Sequence, residues 1–332
     1  MHRALVCRAW TGVRVLTTDC LGLSPLSTIR IGTRGSKLAV WQAEWIAGRL
    51  KQRGYDVEIV LISTRGDVST ESLRVVGGQG LFTKEIQREL LSASVDVAVH
   101  SLKDLPTIPV PGLSLAAVPE RETTADCLIS RGNVSFEDLP AGARVGTGSS
   151  RRGAQLLVWR PELVIADIRG NVDSRLRKLE EGQFDAIVLA AAGLTRLKLT
   201  QCITEQLPEE RILPAIGQGA LGLECRSDDA ETQAALVQLN DPKSQAEVLA
   251  ERAFLASLLA GCLAPVAAIG RVNPDGQLSL RGRVLSIDGK RVVEGRVVGN
   301  PKSAEMLGKQ LADELIGQGA AELIAIAKEN SP

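Results

Sequence analysis

Four polar side chains follow directly after an apolar run in the first half of the chain. Alternating valines over residues 95–99 predict a buried strand, and Pro106 stops any long helix that would continue from it. Ionisable groups at the carboxyl end of a core strand are where open α/β sheets bind ligands, so this stretch is a candidate acid–base site. A solvated strand end with ordinary surface charge is the alternative. The polar side chains are His100, Ser101, Lys103 and Asp104.

Arginines recur further along the chain, where strands are predicted to turn into helices. A guanidinium binds a carboxylate through a planar, two-pronged pair of hydrogen bonds. Several arginines in one cleft therefore predict a ligand with several carboxylates, whereas Arg177 and Lys178 are better explained as solvated helix charges. The five candidates are Arg151, Arg152, Arg169, Arg175 and Arg196.

One cysteine differs from the other five in its setting. Cys262 lies between Gly261 and Pro265, after a predicted helix over residues 246–259, and is therefore placed on a loop. Structural cysteines usually lie within apolar elements, as Cys127 and Cys225 do. A loop thiol is a candidate nucleophile or attachment point, although its position alone does not exclude an inert residue.

Two stretches repeat one plan and predict two similar α/β units. Residues 30–36 and residues 144–152 each read as a strand, a Gly-Thr turn, and hydroxyl and arginine side chains at a helix start. Helix starts present free N–H groups to anions, so Thr33, Arg34 and Ser36 form a candidate acid-binding corner. Two such units facing each other form a two-lobed fold with a ligand cleft between the lobes.

The predicted architecture is α/β, with two periplasmic-binding-protein-like domains around a cleft and a small α+β C-terminal domain that has a three-stranded antiparallel sheet. The first α/β domain covers residues 28–120 and returns over about 218–238, and the second covers residues 121–217. The third domain covers residues 239–332, with turns at 273–276 and 288–289. Residues 1–27 read as an extension that is either disordered or a transit-like segment.

Composition excludes several functional classes. The 332 residues contain 39 basic and 39 acidic side chains, so no global basic field indicates nucleic-acid binding. No apolar run approaches the roughly 20 residues of a membrane span. Two histidines and six scattered cysteines without a C-x-x-C pair argue against a metal site and favour reduced thiols in an intracellular protein. Aromatic residues make up only 3%, so the cores must be aliphatic.

An ordered series of short motifs over residues 28–332 resembles the porphobilinogen deaminase (hydroxymethylbilane synthase) family. No single motif is decisive, but the order of the set is specific. The motifs are Arg34-Gly35-Ser36, Thr64-Arg65-Gly66-Asp67, residues 80–85, residues 99–106, Arg151-Arg152, Arg169-Gly170-Asn171-Val172, residues 217–220, Glu251-Arg252-Ala253 and residues 261–265.

The resemblance implies a transferase of tetrapyrrole biosynthesis that joins four porphobilinogen units head to tail and releases ammonia. It implies a covalent dipyrromethane cofactor on Cys262 and a catalytic carboxylate at Asp104, which also contacts the cofactor. The other cofactor contacts it implies are Lys103, Ser101, Thr147, Ser149, Arg151 and Arg152. The substrate contacts it implies are Arg34, Ser36, Arg169, Arg175 and Arg196.

Three positions depart from the family pattern. Gln79 replaces a frequent lysine, and Gly148 and Ser150 replace a frequent Ser-Leu, which leaves individual hydroxyl contacts open. The competing hypothesis is a non-catalytic, two-lobed binding protein for a polycarboxylate, which accounts for neither Cys262 nor the third domain. We expect a cytoplasmic monomer that binds neither nucleic acid nor membrane, or an organellar (for example plastid) protein if residues 1–27 are a transit peptide.

Overall fold

The first lobe is built on a five-stranded sheet. The structure is a computed structural model that describes residues 28–63, 83–259 and 264–329. The strand order is β2-β1-β3-β10-β4, in which β1 pairs parallel with β2 and β3, and β10 runs antiparallel to β3 and β4. The strands are β1 (Ile29–Thr33), β2 (Val57–Leu61), β3 (Val97–Ser101), β4 (Leu113–Ala117) and β10 (Leu221–Arg226), and the helices are α1 (Lys37–Lys51), α2 (Lys84–Leu91) and α6 (Ala230–Val237).

The second lobe repeats this arrangement with the order β7-β6-β8-β5-β9. Strand β6 pairs parallel with β7 and β8, and β5 runs antiparallel to β8 and β9. The sequence repeat therefore does correspond to a repeated fold. The strands are β5 (Asp126–Ser130), β6 (Arg144–Gly146), β7 (Val164–Ala166), β8 (Ala186–Ala190) and β9 (Glu205–Gln206), and the helices are α3 (Ser150–Trp159), α4 (Val172–Glu180) and α5 (Ala191–Arg196).

In each lobe, the chain enters the inner antiparallel strand directly from the other lobe. The chain leaves β4 of the first lobe and becomes β5 of the second, and it leaves β9 of the second lobe and becomes β10 of the first. Two crossing segments, residues 118–125 and 207–220, thus connect the lobes side by side. This confirms the two-lobed prediction, and the chain returns to the first lobe as β10.

The third domain is an antiparallel sheet in the order β11-β12-β13, with helices against it, as predicted. Gly282 lets the sheet approach α7 closely, because a Cβ there would lie 2.6 Å from Cζ of Phe254. The elements are α7 (Pro242–Ser257), β11 (Val266–Val272), β12 (Leu278–Leu285), β13 (Val292–Gly299), α8 (Ala304–Gly317) and α9 (Ala320–Glu329).

Side-chain caps fix where the helices start. The Asp241 side chain accepts a hydrogen bond from the Ser244 amide, and Pro242 occupies the first turn, so α7 begins four residues before the predicted start at Ala246. Apolar periodicity alone missed this turn because its residues are polar. The cores are aliphatic as predicted, and the aromatic side chains fully buried in them are Phe136 and Phe254.

The two crossing segments touch at Gly219. Its φ is +84°, and a Cβ there would lie 2.4 Å from the Glu122 carbonyl oxygen and 2.6 Å from that of Thr123. The Gly219 carbonyl accepts a hydrogen bond from the Glu122 amide at 3.3 Å. A side chain at this position would force the segments apart.

We therefore expect Gly219→Ala to lower the free energy of unfolding by about 2–4 kcal/mol, through left-handed strain plus overpacking. Gly276→Ala is the matched control, because Gly276 has a φ of +81° but no atom lies within 4 Å of the place that a Cβ would take there. That control loses only the strain, about 1–2 kcal/mol. Urea denaturation of both variants measures the difference, and equal losses would contradict the close contact.

Candidate functional site

The predicted acid–base stretch forms a fixed turn at the end of β3. A 3-10 turn covers Leu102–Asp104, and the Leu102 amide donates to the Ala220 carbonyl at 3.0 Å. Arg252 of α7 donates to the carbonyls of Leu105 at 2.9 Å and Pro106 at 2.7 Å. The turn is thus held by the first lobe and by the third domain together.

Asp104 is exposed at the end of this turn. Within the described ranges its carboxylate makes no hydrogen bond or ion pair, although it acts electrostatically on Lys103 and Arg175. A carboxylate held on a fixed backbone and free of partners is available for proton transfer or for stabilising a positive charge. Asp104 therefore has the surroundings expected of a catalytic carboxylate.

His100 does not belong to this polar group. Strand β3 continues through Ser101, and the His100 ring is buried with Nε2 3.1 Å from Oε2 of Glu224. Gln87 donates to both carboxylate oxygens of Glu224 at 3.1 Å. The sequence-based grouping of His100 with the site was wrong, because the strand runs two residues further than the valine pattern indicated.

Ser101 is paired with a residue that sequence analysis did not place in the site. Nε2 of the buried Gln42 side chain, on α1, donates to Ser101 Oγ at 2.9 Å. The available signal was an amide on the predicted buried face of an otherwise apolar helix stretch. Gln42 orients the hydroxyl of Ser101.

Asp126 is the centre of the second lobe's charged cluster, and sequence analysis missed it. Arg151 Nη1 donates to Asp126 Oδ2 at 2.7 Å, and Arg152 donates to Oδ1 from Nε at 3.0 Å and from Nη2 at 2.7 Å. Gln218 Nε2 also donates to Oδ1, at 2.9 Å. Although burial alone would raise it, the two guanidinium groups hold the pKa of Asp126 well below its usual range.

Arg151 and Arg152 are therefore buried behind the cleft surface. The remaining contacts of these residues include the carbonyls of Leu213, 2.5 Å from Arg151 Nη1, and Val188, 3.2 Å from Arg152 Nη1. The prediction that they lie at the start of a helix is correct. Because both side chains are buried and bonded to Asp126, their guanidinium groups act on the cleft mainly through their charge.

Arg169 and Arg175 lie at the other turn of the second lobe. Arg169 Nε donates to Asp167 Oδ2 at 2.9 Å, and Arg175 Nε donates to the Gly170 carbonyl at 2.8 Å. Burial, together with Arg152 and Arg169, lowers the pKa of Arg175 to about 10. Within the part of the chain that the structure describes, the terminal nitrogens of Arg175 have no hydrogen-bond partner, which leaves a two-pronged donor for a carboxylate.

Arg196 is set apart from the other four arginines. It is buried, its Nη2 donates to the Gly219 carbonyl at 2.6 Å, and its Cζ lies 5.9 Å from the centroid of the Trp41 ring. It therefore lies where α5 meets α1, at the contact between the lobes. Of the two charges attributed to solvated helix surface, Arg177 is exposed as predicted, while Lys178 donates to the Arg169 carbonyl at 3.1 Å.

The predicted hydroxyl groups stand at two helix starts. Ser36 caps α1 by accepting from the Ala39 amide at 3.3 Å, and Ser149 caps α3 by accepting from the Arg152 amide at 3.4 Å. Thr147 Oγ1 accepts from the Ser149 amide at 3.2 Å. Each hydroxyl keeps its own proton to donate, which suits a carboxylate ligand. Arg34 is half-buried beside Ser36.

Gly148, a departure from the family pattern, has a packing reason. A Cβ there would lie 3.0 Å from the Ile168 carbonyl oxygen and 3.1 Å from Asp167 Oδ1. The glycine thus lets the turn that carries Arg169 approach the turn that carries Ser149. Ser150, the other described departure, is the first residue of α3. Gln79 and Cys262 lie outside the described residues.

Lys103 connects the two lobes electrostatically. Although the side chain is accessible to solvent, desolvation by the surrounding protein, together with the charges of Arg152 and Arg151, lowers its pKa to about 8. Asp104 and Asp126 oppose the shift. Cations of both lobes therefore face one space. Among the described residues, no group of three or more His, Cys, Asp or Glu side chains could hold a metal ion, and no helix is both long and apolar enough to cross a bilayer.

Two family models match the chain: porphobilinogen deaminase, dipyromethane cofactor binding domain, over residues 29–234, and porphobilinogen deaminase, C-terminal domain, over residues 245–317. The chain is 48% identical over 303 residues to the porphobilinogen deaminase of Geotalea uraniireducens (strain Rf4), which covers 90% of this chain and 95% of that one. It is 49% identical over 300 residues to the porphobilinogen deaminase of Geobacter metallireducens, with 90% and 94% covered.

A periplasmic substrate-binding protein of an ABC transporter from Coxiella burnetii is a similar solved structure, with 15% identity and a TM-score of 0.40 over 66% of this chain and 94% of that one. The fold assignment rests on the sheet order of the chain itself, since a score of this size adds nothing to it.

The lowered pKa of Lys103 predicts that its amine becomes reactive at a lower pH than an ordinary lysine. With a pKa of about 8, Lys103 is protonated below that pH and becomes a nucleophilic amine above it. Competitive labelling of the Cys262→Ser variant, which has no thiol to carry the covalent cofactor that the family resemblance implies, by an amine-directed reagent should show half-maximal reactivity of Lys103 near pH 8. The readout is peptide mass spectrometry, and the reference is a free lysine peptide with a midpoint of about 10.4. Asp104→Asn should lower the midpoint further, because Asp104 raises this pKa. A midpoint equal to that of the peptide would contradict the cationic cleft.

Proposed function

Because the chain belongs to the porphobilinogen deaminase family, we propose that it joins four porphobilinogen molecules head to tail, with release of ammonia, to give hydroxymethylbilane. The observation that carries this proposal is the exposed carboxylate of Asp104, which has no partner among the described residues, on a fixed turn near a cluster of arginines. The alternative, a non-catalytic binding protein, has no use for an unpaired carboxylate beside a site for anions, which it would repel.

The cleft suits a polyanionic chain. Each pyrrole carries an acetate and a propionate, so every added unit brings two more carboxylates. We assign substrate contacts to Arg34, Ser36 and Arg169, together with Arg175, whose free terminal nitrogens support that role. Arg196 completes the substrate set on the ground of the family resemblance, and its place at the lobe contact assigns it to the edge of the site.

The residues at the centre of the cleft fit a dipyrromethane, the cofactor that the matched family domain binds. Desolvation and the nearby arginines depress the pKa of Lys103, and bound carboxylates would stabilise its charged form. Lys103, Ser101, Thr147 and Ser149 would hold it directly, and Arg151 and Arg152 would stabilise it through their charge. When attached to Cys262, the cofactor supplies the free pyrrole carbon to which the first unit is joined.

Asp104 takes part in proton transfer and stabilises the positive charge that forms during the reaction. Its carboxylate is placed to handle the proton that the amine of porphobilinogen takes up as ammonia leaves, and to stabilise the positive charge that then develops on the pyrrole nitrogen. The hydrogen bonds from Leu102 to Ala220 and from Arg252 to Leu105 keep its backbone fixed while this happens. Arg175 and Lys103, by pairing with carboxylates, keep the ring in place.

We further propose that the enzyme works as a cytoplasmic monomer, without nucleic-acid or membrane partners. The described cysteines are free thiols, of which Cys127 and Cys225 are buried, and this supports a reducing compartment. An organellar location is the alternative if residues 1–27 act as a transit peptide. Light scattering of the purified protein tests the monomer.

The intact mass of the purified protein tests the assignment. We expect an excess equal to two pyrrole units on the parent protein, because the cofactor is covalent, and no excess on the Cys262→Ser variant. Cys202→Ser is the control, since Cys202 is a half-buried free thiol in the second lobe; it should retain the excess. An unmodified parent, even after incubation with porphobilinogen, would contradict the proposed function.

Asp104→Asn should reduce turnover at least about a hundredfold, the usual contribution of a positioned acid–base group. The side chain is exposed and unpaired, so the urea midpoint should stay within error of the parent, since exposed sites usually change stability by less than about 0.5 kcal/mol. Colorimetric measurement of porphobilinogen consumption checks the first expectation. Near-normal turnover in a folded variant would remove Asp104 from the mechanism.

A further inference from the structure

An open cavity of about 400 Å³ lies between the two lobes, beside the cleft. Gly35 forms part of its lining and lies between Arg34 and Ser36, so the cavity adjoins the first lobe's substrate corner. One wall is a face of α1 and the other is the end of α5. The lining side chains that matter here are Lys37, Trp41, Glu44, Arg196 and Lys198.

The cavity is lined by one acidic and one basic side chain that form no ion pair within the described residues. Over residues 28–63, 83–259 and 264–329, neither Glu44 on the first lobe's wall nor Lys198 on the second lobe's wall has an ion-pair partner, and both are exposed. Lys37 is paired with Asp173 across the lobes at 2.7 Å, but its side chain is 76% exposed. Exposed ion pairs stabilise a protein little, so a ligand carboxylate can replace Asp173.

An aromatic ring, Trp41, lines the same cavity and packs against two neighbours. Trp41 stacks on Trp45 with ring centroids 6.4 Å apart and an interplanar angle of 19°. Arg196 lies 5.9 Å from the Trp41 centroid and is itself fixed by its hydrogen bond to Gly219. A cavity lined by an indole and by charged groups of both signs is suited to a small, flat, aromatic zwitterion.

The backbone at Lys198 supports a role for its side chain. Lys198 follows the end of α5 and has a φ of +58°, in the left-handed region where glycine is the usual residue after a helix. A side chain at this position strains the backbone, and such strain concentrates at functional sites. Lysine rather than glycine here extends an ammonium group into the cavity.

We propose that this cavity is a docking site for the incoming monomer, distinct from the site where the chain grows. This inference rests on the proposed function. Porphobilinogen is a flat pyrrole with two carboxylates, for Lys37 and Lys198, and an aminomethyl ammonium, for Glu44. The volume of about 400 Å³ lies at the small end of the roughly 300–1,000 Å³ of ligand sites.

Glu44 makes the site selective for monomer over product. Each condensation releases the amine as ammonia, so internal units of the growing chain carry carboxylates and no ammonium group. Glu44 attracts the monomer and repels the chain. The site thereby holds substrate beside Arg34 and Ser36 without being blocked by the polymer.

Steady-state kinetics give the first test. Lys198→Gln and Glu44→Gln should each raise KM for porphobilinogen about threefold to fivefold, the effect of losing one exposed charge pair. The same variants should change kcat less than about twofold, since bound substrate reaches the same transition state. Lys309→Gln and Glu305→Gln, on the exposed face of α8 in the third domain, are the matched controls and should leave both parameters unchanged.

Equilibrium dialysis gives a second test, on the full-length Asp104→Asn chain, which should bind substrate without consuming it. Lys198→Gln should weaken binding both of porphobilinogen and of an analogue that carries a methyl in place of the aminomethyl group. Glu44→Gln should weaken binding of porphobilinogen only. This difference between the two ligands is not expected from a general loss of structure.

The outcomes separate the two proposals. If the parent converts porphobilinogen but Lys198→Gln and Glu44→Gln match their controls in KM and in dialysis, the docking site is overturned and the enzyme assignment stands. If the parent does not consume porphobilinogen, the enzyme assignment fails and dialysis alone decides the site: ligand-selective loss in Glu44→Gln supports it, and equal binding by all variants overturns it.

Discussion

The buried carboxylate of Asp126 holds the charged half of the molecule together. It accepts hydrogen bonds from Arg151 and Arg152 at the start of α3 and from Gln218 on a crossing segment, so one side chain ties a strand, a helix and the connection between the lobes. Removing one partner of such a pair typically costs about 3–5 kcal/mol, because the remaining charge stays buried. The same pairing leaves a net positive charge behind the cleft, since two guanidinium groups meet a single carboxylate.

Glu251 has the corresponding role where the three domains meet. This fully buried side chain accepts two hydrogen bonds from Arg121, at 2.7 and 3.0 Å, and one each from the amides of Gly217 and Gly270. Arg121 and Gly217 belong to the two crossing segments, and Gly270 belongs to β11. The third domain is therefore joined to both connections between the lobes through one carboxylate, and its helix α7 reaches the Asp104 turn through the neighbouring Arg252.

Apolar patterns and turn residues were enough to predict the two lobes, the repeat and the three-stranded sheet, because burial acts on each segment locally. The positions of Asp104 and Arg169 followed from their places after strand ends, and that of Arg175 from the helix that begins after Arg169. Asp126 and Gln42 were missed because each is a single polar residue whose partners come from distant parts of the chain. His100 was misassigned for a related reason: its buried partner, Glu224, lies on a strand that returns more than a hundred residues later.

The Asp104 turn and the arginines of the second lobe are held by different parts of the molecule, and this difference determines how the cleft can widen for a longer chain. The Asp104 turn is bonded to Ala220 and Arg252, which belong to the first lobe's side and to the third domain. Arg169 and Arg175 are bonded only to neighbours in the second lobe. Rotation about the crossing segments would therefore carry these arginines away from Asp104 without disturbing the backbone that holds it. The space between the lobes then increases, while the Asp104 turn keeps its place on the first lobe.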